Sequence, residues 1–364
     1  MRVAAYLVVV CCLLACSEKE QPSKDAAGWS TLPNEYAEHF KIQARGAARR
    51  VIVLGPGGDQ DTLGKYVLGS DPDLRWQPVK APLQRVVVVS TTHLPFFSAL
   101  GISGTVVGAA HTEQIRDTVM RRLVAQRAVI EVARADGLDR ETLIDLAPEA
   151  IFDPPFGNVP KASAAFGNVI AVTEYLEQHP LGRAEWIRFF GLLLGRTQKA
   201  DSIFHAIEHR YATVRSMNIA VPDPPTVFFG SSWNQTWYAP PANSYMARLI
   251  NDAGGRYWTI DSVAKENGPV ALEQLLLIAA ECDHFGLILA REGKVDASFL
   301  VGGDPRLAKM DALQKGGFYG NSARSDLFGQ ALLEPETILR DLRCIFRPNS
   351  CRQYTPTYFF PVDQ

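Results

Sequence analysis

Polar and aromatic residues that can contact a ligand follow short apolar runs typical of buried strands. Three such runs cover residues 85–89, 151–152 and 226–229. Hydroxyl and imidazole groups orient a ligand by hydrogen bonds, and aromatic rings stack on a flat or bulky one. Because ligands of open α/β sheets bind outside the carboxyl ends of the strands, the residues after these runs predict a binding site. The predicted members are Ser90, Thr91, Thr92, His93, Phe156, Trp233, Trp237 and Tyr238.

Some of these residues have a second interpretation. The three aromatic residues after the third run can pack against their own domain, and His93 can cap the following helix instead of touching a ligand. A bare metal ion needs several converging His, Asp or Glu side chains. His205 and His209 stand four apart in a helical segment, a spacing more typical of a surface pair. We therefore predict a preassembled metal complex as the ligand, with no metal site and no resident cofactor.

The sequence carries no signature of catalysis or of nucleic-acid binding. It contains no Gly-x-Ser-x-Gly elbow, zinc signature or evident pair of catalytic carboxylates. Residues 55–58 are glycine-rich but lack the Lys-Ser/Thr ending and following helix of a phosphate loop. The net charge of -2 argues against a nucleic-acid partner. A binding protein is predicted, with an α/β hydrolytic enzyme and a structural lipoprotein as the alternatives from other classes.

The N-terminus has the features of an export signal. Met1 and Arg2 precede an apolar run that is too short to span a bilayer, and this run ends in Leu-Leu-Ala-Cys at Cys16. The ending resembles the lipobox of bacterial lipoproteins, which implies lipidation of Cys16. The alternative is an ordinary signal peptide that happens to contain cysteines. By the same resemblance, Ser17 favours the inner leaflet of an outer membrane, and the polar residues after it predict a disordered tether.

The rest of the chain predicts two α/β halves with a helical segment between them. Strand-like and helix-like segments alternate in each half, a pattern typical of parallel sheets covered by helices. Residues 182–217 read as purely helical, and the second helix there has about 20 residues, or about 30 Å. Prolines from residue 222 onward end it. In the last segment Cys344 and Cys351 are close enough in sequence to form a disulfide in an exported chain.

Several segments together resemble the binding proteins of ABC importers for siderophores, haem and cobalamin. They are residues 85–93, 99–101, 106–108, 141–151, 180–186, 243–246 and 253–255. The resemblance implies two Rossmann-like α/β lobes joined by a long rigid α-helix, with the ligand cleft between the lobes. It implies a monomer that delivers a ferric siderophore to an inner-membrane ABC permease, with cobalamin and then haem as alternative ligands.

The resemblance also implies roles for particular residues. Glu141 and Glu273 match the exposed glutamates with which this family docks on its permease, although both can simply be acids that favour a helix start. Residues 316–321 resemble a cleft wall, which adds Phe318 and Tyr319 to the predicted site. The predicted division is a signal peptide (1–15), a tether and extension (16–47), an N-terminal lobe (48–182), bridging helices (183–217) and a C-terminal lobe (218–364).

Overall fold

A computed structural model describes residues 25, 27–69, 73–135, 137–155, 166–217, 222–233, 236–258, 267–288, 312, 315–321 and 325–361. Cys16 and Phe156 lie outside these residues, and the side chain of Trp233 is likewise outside the described part. The described α-helices are α1 (Leu94–Leu100), α2 (Thr118–Ala125), α3 (Arg140–Leu146), α4 (Pro180–Leu193), α5 (Thr197–Ser216), α6 (Tyr245–Asp252), α7 (Leu272–Glu281) and α8 (Pro335–Phe346). Within the ranges just given, no helix is both long and apolar enough to cross a bilayer.

The first sheet lies N-terminal to the lobes and is mainly antiparallel. Its strands, in spatial order, are β1 (Ser30–Leu32), β2 (Phe40–Arg45), β3 (Ala48–Gly55), β4 (Gly58–Leu68) and β5 (Gln77–Pro78). The glycine-rich residues 55–58 form the turn of a hairpin between β3 and β4. The predicted boundary between residues 47 and 48 is wrong, because β2 pairs with β3 through that turn, with Phe40 opposite Val53.

The N-terminal lobe contains the parallel sheet that the sequence predicted. Its strands are β6 (Val86–Val88), β7 (Val106–Ala109), β8 (Ile130–Glu131), β11 (Ala150–Asp153) and β12 (Val169–Ala171), and β9 (Ala133–Arg134) pairs with β10 (Gly137–Leu138) in a separate ribbon. The spatial order is β12-β11-β6-β7-β8, with every pair parallel. The chain therefore winds outward from β6 to β8 and then returns to the other side of β6. The reversal between β6 and β11 opens a crevice at their carboxyl ends.

Two antiparallel helices connect the lobes. Helix α4 packs on α5, and α5 buries Phe204, Ile207 and Tyr211 on one face, as the helical spacing predicted. Near its start α5 contacts α1 of the N-terminal lobe, and it also packs along α8 of the C-terminal lobe. Its 20 residues span about 30 Å. Thr197 is its first residue, and Arg196 before it makes no side-chain cap.

The C-terminal lobe has a mixed sheet. Its strands are β13 (Thr226–Trp233), β14 (Thr236–Ala239), β15 (Arg256–Tyr257), β16 (Gly268–Val270), β17 (His284–Ile288), β18 (Phe318–Asn321) and β19 (Phe359–Pro361). The order is β16-β14-β13-β17-β18-β19, and β15 also pairs with β13. Strands β13, β17 and β18 are parallel. Gly286 in β17 is required by close approach, because a Cβ there would lie 2.3 Å from the Tyr319 ring.

The cysteines of the C-terminal lobe have different environments. Cys344 in α8 is bonded to Cys351 with an S–S distance of 2.08 Å, so the disulfide predicted from the sequence is present. The bond ties the segment after α8 back onto that helix. Cys282 is buried at the end of α7, and burial raises the pKa of its thiol to about 12. A buried thiol that stays protonated is unreactive.

Two buried carboxylates of the helical region hold the segment before β2. Glu185 in α4 accepts hydrogen bonds from the backbone amides of Glu35, Tyr36 and Ala37 at 2.8–2.9 Å. Glu177 accepts two more from the following amides at 2.9 Å, together with one from the indole of Trp186. Charged acceptors make stronger hydrogen bonds than neutral ones. These contacts fix the first sheet against α4, and therefore against the core of the N-terminal lobe.

Candidate ligand cleft

The N-terminal wall of the cleft is formed by the turn that follows β6. Ser90 caps this turn by accepting from the Thr92 amide at 3.3 Å, and its hydroxyl lies 2.8 Å from that of Thr92. Ser90 and Thr91 are half-buried, and no hydrogen bond of the Thr91 hydroxyl occurs within the described structure. The turn stands at the carboxyl end of β6, beside the switch point. Ser90 and Thr91 are therefore placed where a ligand of this sheet would bind.

His93 is placed differently from the sequence prediction. Its side chain is fully buried, and Nε2 lies 3.1 Å from Oε2 of Glu174. Thr92 donates to the other oxygen of Glu174 at 2.9 Å. The assignment of His93 as a ligand contact is therefore wrong for this conformation, because the ring points into the lobe, 5.9 Å from the Phe190 ring. Glu174 instead anchors the turn from beneath and leaves Ser90 and Thr91 at the surface.

The charge of Glu174 is stabilised by its partners. Burial alone would raise the pKa of this carboxyl, but the imidazole of His93 and hydrogen bonds from His93 and Thr92 hold it below its ordinary value. An acid with a lowered folded-state pKa contributes stability above its unfolded pKa, which is about 4.3. That stability is lost as the pH falls from the unfolded-state pKa through the lower folded-state pKa of Glu174.

We expect Glu174→Gln to lower the free energy of unfolding by about 2 kcal/mol at pH 7, because a buried charged acceptor is lost. The difference from the wild type should shrink as the pH falls below about 4.3, since the wild-type carboxylate is then protonated as well. Urea unfolding, followed by circular dichroism at intervals of about one pH unit between pH 3 and 7, measures this difference in the free energy of unfolding. A difference that stays constant over that range would contradict the assignment of a charged Glu174.

The C-terminal wall contains the β13–β14 hairpin. The sequence predicted a polar loop with three aromatic residues here, but β13 continues to Trp233 and β14 returns antiparallel to it, with Ser231 opposite Tyr238. Alternation along β14 sends Trp237 into the core, 6.1 Å from the Phe285 ring, and leaves Tyr238 half-buried on the other face. Trp237 is therefore removed from the set of ligand contacts, and Tyr238 stays in it as a prediction.

The assignments of Phe318 and Tyr319 also need correction. Both lie in the buried strand β18, with Phe318 at 2% and Tyr319 at 0% exposure. Phe318 packs 6.3 Å from the Phe285 ring, and Tyr319 packs 5.8 Å from Phe359. The central strands of this sheet are covered on both faces, so their large side chains fill the lobe core. Neither ring is accessible to a ligand in this conformation.

Sequence reasoning missed residues that lie where the lobes meet. Asp326 of the C-terminal lobe interacts electrostatically with Asp117 and Arg116 of the N-terminal lobe. Burial raises the pKa of the Asp326 carboxyl, and the charge of Asp117 raises it further. The charge of Arg116 opposes this rise. Phe328, two residues on, is 60% exposed. Tyr175, half-buried, donates to the Pro155 carbonyl at 3.0 Å beside the end of β11. No periodic pattern surrounds these residues. The one available signal in the sequence was Phe328, an aromatic residue directly before a glycine.

The lobes are also joined beside the cleft. The guanidinium of Arg183 in α4 lies 4.2 Å above the ring of Tyr245 in α6, and it donates to the Tyr175 carbonyl at 3.0 Å. The turn Gln330–Leu333 packs against α1 and α4. The contacts belong to helices and turns rather than to a free linker. These contacts hold the two lobes together at the hinge and leave the cleft to one side of it.

Glu141 and Glu273 lie in equivalent places on the two lobes. Each is exposed in the first turn of its helix, α3 or α7, and each helix leads into a parallel strand. Such a helix runs antiparallel to the strands, so its start lies at their carboxyl edge, the edge that bears the cleft. Ile144 on α3 is 60% exposed and Leu277 on α7 is 70% exposed. At spacings of three and four residues, each apolar side chain shares a helix face with its glutamate.

Comparison with known proteins identifies the family. A family model described as periplasmic binding protein matches residues 86–323, which is more than half of the chain. The chain belongs to the periplasmic binding protein family. The matched range begins at β6 and ends just after β18, so it includes both walls of the cleft and the helices between them. The family consists of substrate-binding proteins rather than enzymes, which confirms the prediction that no reaction is catalysed.

Solved structures of similar proteins have the same two-lobe fold. The haem-binding protein HutB of Vibrio cholerae aligns with a TM-score of 0.58 and 14% identity, over 73% of this chain and 99% of that one. A periplasmic haem-binding protein of Pseudomonas aeruginosa gives 0.57 and 18%, over 76% and 97%. The vitamin B12-binding protein BtuF of Vibrio cholerae gives 0.52 and 15%, over 74% and 98%. These structures confirm the predicted two-lobe α/β fold.

A curated relative spans most of the chain. An uncharacterized lipoprotein of Methanocaldococcus jannaschii is 24% identical over 336 residues, which covers 88% of this chain and 78% of the relative. That alignment is longer than the family match, so it includes at least part of the sheet that precedes the N-terminal lobe. The additional sheet is therefore a feature that the two chains can share, beyond the two lobes themselves.

Proposed function

We propose that this chain is a lipid-anchored binding protein that captures a ferric siderophore outside the cytoplasm and delivers it to an ABC permease. The cleft carries the proposal. Its N-terminal wall presents the hydroxyls of Ser90 and Thr91 at the sheet's switch point, and its C-terminal wall presents the half-buried Tyr238. Hydroxyl groups suit a ligand that is itself rich in hydrogen-bonding oxygens, as the shell of an iron chelate is.

The arrangement of possible metal ligands favours a complexed metal over a bare ion. Within the described residues, the group of His and acidic side chains whose ligand atoms come within 4.8 Å of one another is Glu35, His205 and Glu208. It lies on α5 and the segment before β2, away from the strand ends. Arg188 already donates to Glu35 at 2.9 Å and lies 3.2 Å from His205, so a cation there would be repelled. The metal in the cleft would arrive with its own chelator.

Haem is a second candidate, and His111 favours it. This residue follows β7 at the carboxyl edge of the N-terminal sheet, is exposed, and has a φ of 57°. A non-glycine residue in this left-handed conformation is uncommon and often functional. Histidine is an axial ligand of haem iron. Cobalamin, which the sequence prediction placed ahead of haem, becomes the third candidate, and it is supported by a structural neighbour that binds vitamin B12.

Two observations support the membrane anchor. The leader of the sequence ends in a lipobox-like segment at Cys16, and the curated relative is itself named a lipoprotein. An anchor at the N-terminus with a polar tether would leave the lobes free to reach a permease in the inner membrane. We propose a monomer tethered on the periplasmic side, with the inner leaflet of the outer membrane as the anchoring layer.

The docking surface is proposed to consist of Glu141 and Ile144 on one lobe and Glu273 and Leu277 on the other. Each pair places a carboxylate beside an exposed aliphatic side chain. Rim charges of this kind set association rate and partner choice. The aliphatic side chains would supply apolar contact once the carboxylates have oriented the binding protein.

Thermal unfolding against a ligand panel tests the function. Ferric siderophores, haem, cobalamin and free ferric, zinc and manganese ions are added to the full-length chain in neutral detergent micelles. A ligand at about one hundred times its dissociation constant should add about 2.7 kcal/mol to the free energy of unfolding. Stabilisation by one siderophore class supports the proposal, and stabilisation by haem alone supports the second candidate. A shift with bare ions only, or with none of the panel, contradicts it.

A further inference from the structure

A pocket on the C-terminal lobe lies at the disulfide, outside the cleft. It has a volume of about 510 Å³. One wall is the end of α5, with Val214 and Met217, and another is the outer face of α8. The third is the segment that the bond between Cys344 and Cys351 folds back onto α8. Nothing in the cleft, the docking surface or the lipid anchor uses this pocket.

Three arginines converge on the pocket. Arg340 and Arg343 are three residues apart on the same face of α8, and Arg352, next to the disulfide, lines the same pocket. Tyr354 completes this side, and its hydroxyl is held by Asp341 at 2.6 Å. No carboxylate is found among the residues that line the pocket.

These guanidinium groups are not neutralised within the described structure. Arg188, Arg210 and Arg215 on the bridging helices all contact acidic side chains. None of the three pocket arginines has such an ion pair in the part of the chain that is described. Arg343 also has a buried Nε without an acceptor, and its Nη1 reaches only the weak acceptor Sγ of Cys351 at 3.5 Å. An unpaired buried donor costs free energy that a ligand oxygen would recover.

Asp341, the acid that follows Arg340 on α8, does not supply that oxygen. Asp341 is fully buried and accepts from the backbone amides of Thr357, Tyr358 and Phe359, as well as from Tyr354. It holds the last strand in place on the inner face of α8 and does not line the pocket. The arginine side of α8 is therefore left with an excess of positive charge.

We propose that this pocket binds a phosphate group carried on a small organic molecule or on a lipid. The guanidinium fork matches phosphate oxygens in two-point hydrogen bonds, and three such groups suit a dianion or a diester with further acceptors. The apolar wall of Val214, Met217 and the disulfide suits the organic body to which the phosphate is attached. A free phosphate ester and an anionic headgroup present the same chemistry here, and the experiment separates them.

Isothermal titration calorimetry on the full-length chain in neutral detergent micelles tests the proposal. The probes are inorganic phosphate, glycerol 3-phosphate, and micelles doped with phosphatidylglycerol or with phosphatidylcholine. Arg340→Gln with Arg352→Gln, both at exposed positions, should weaken binding of the phosphate probe at least about tenfold. Arg121→Gln with Arg122→Gln, an exposed pair on α2 with the same change of charge, should leave it within about twofold.

Each outcome decides the matter. Binding of glycerol 3-phosphate without preference for phosphatidylglycerol assigns a soluble phosphate ester, and preference for phosphatidylglycerol over phosphatidylcholine assigns a lipid headgroup. The proposal is overturned if no phosphate probe binds at about 10 mM, a concentration that would fill about nine-tenths of a site with a Kd of about 1 mM. It is equally overturned if the α8 pair and the α2 pair weaken binding to the same extent, which would show a general effect of charge.

Discussion

Glu141→Arg combined with Glu273→Arg is expected to reduce ligand import about a hundredfold while leaving ligand affinity unchanged. The two glutamates are exposed, stand at the helix starts on the cleft edge, and occur once on each lobe. If these glutamates form the proposed docking surface, two new arginines replace attraction to the permease with like-charge repulsion, which costs several kcal/mol. Neither side chain belongs to a cleft wall, so the cleft should bind as before.

Uptake of radiolabelled ferric siderophore by cells that depend on this binding protein measures import, and calorimetry measures affinity. Glu38→Arg with Glu281→Arg is the matched control, because both acids are exposed and the change of charge is identical. Glu281 ends α7, so it lies at the edge of the sheet opposite to Glu273. Import that survives in the docking variant, or affinity that falls together with import, would show that these glutamates are not the docking residues.

Glu185→Ala is expected to lower the free energy of unfolding by about 4 kcal/mol. The Glu185 carboxylate is fully buried, accepts from three successive backbone amides of residues 35–37, and pairs with Arg188 at 2.6 Å. Removing one partner of a buried pair costs about 3–5 kcal/mol, since the remaining donors lose their acceptor without regaining water. The loss should be concentrated in the first sheet, whose attachment to α4 depends on these bonds.

Chemical denaturation gives the free energy, and hydrogen exchange locates the loss. Glu38→Ala is the control in the same segment, because that side chain is exposed and has no hydrogen bond within the described structure, although its amide is bound by Glu177. We expect the control to stay within about 0.5 kcal/mol of the wild type. A loss below about 1 kcal/mol in Glu185→Ala would mean that the sheet is held mainly by its apolar contacts.

The sequence predicted those elements whose signals are local. Helix α3 begins after Asp139, whose carboxylate accepts from the Thr142 amide, and such a cap is a local signal. The parallel strands β6 and β11 are apolar and buried, and they were predicted from their apolar runs. In β2 the alternation of apolar and polar residues was equally local, yet these residues fell within the range 16–47 that was predicted as tether and extension.

Side-chain roles that depend on distant residues were not predictable. His93 is buried because Glu174, 81 residues away, accepts from its ring. Trp237 is buried because β14 turns its ring toward Phe285 of a later strand. A single sequence shows neither partner, so an aromatic or imidazole group after a strand has the same pattern whether it faces the cleft or the core. Asp326 was missed for a related reason, since its role arises where the two lobes meet.

Calorimetric titration of the stabilising metal complex into the wild type and Thr91→Trp tests most directly the claim that the ligand binds between the lobes. Thr91 is half-buried at the end of β6, so an indole there would occupy the cleft without removing a described hydrogen bond of that side chain. Gln198→Trp, exposed on α5, is the control. Binding between the lobes predicts affinity at least about tenfold weaker in Thr91→Trp and unchanged in the control. Equal affinity in all three proteins would contradict it and would place the ligand elsewhere.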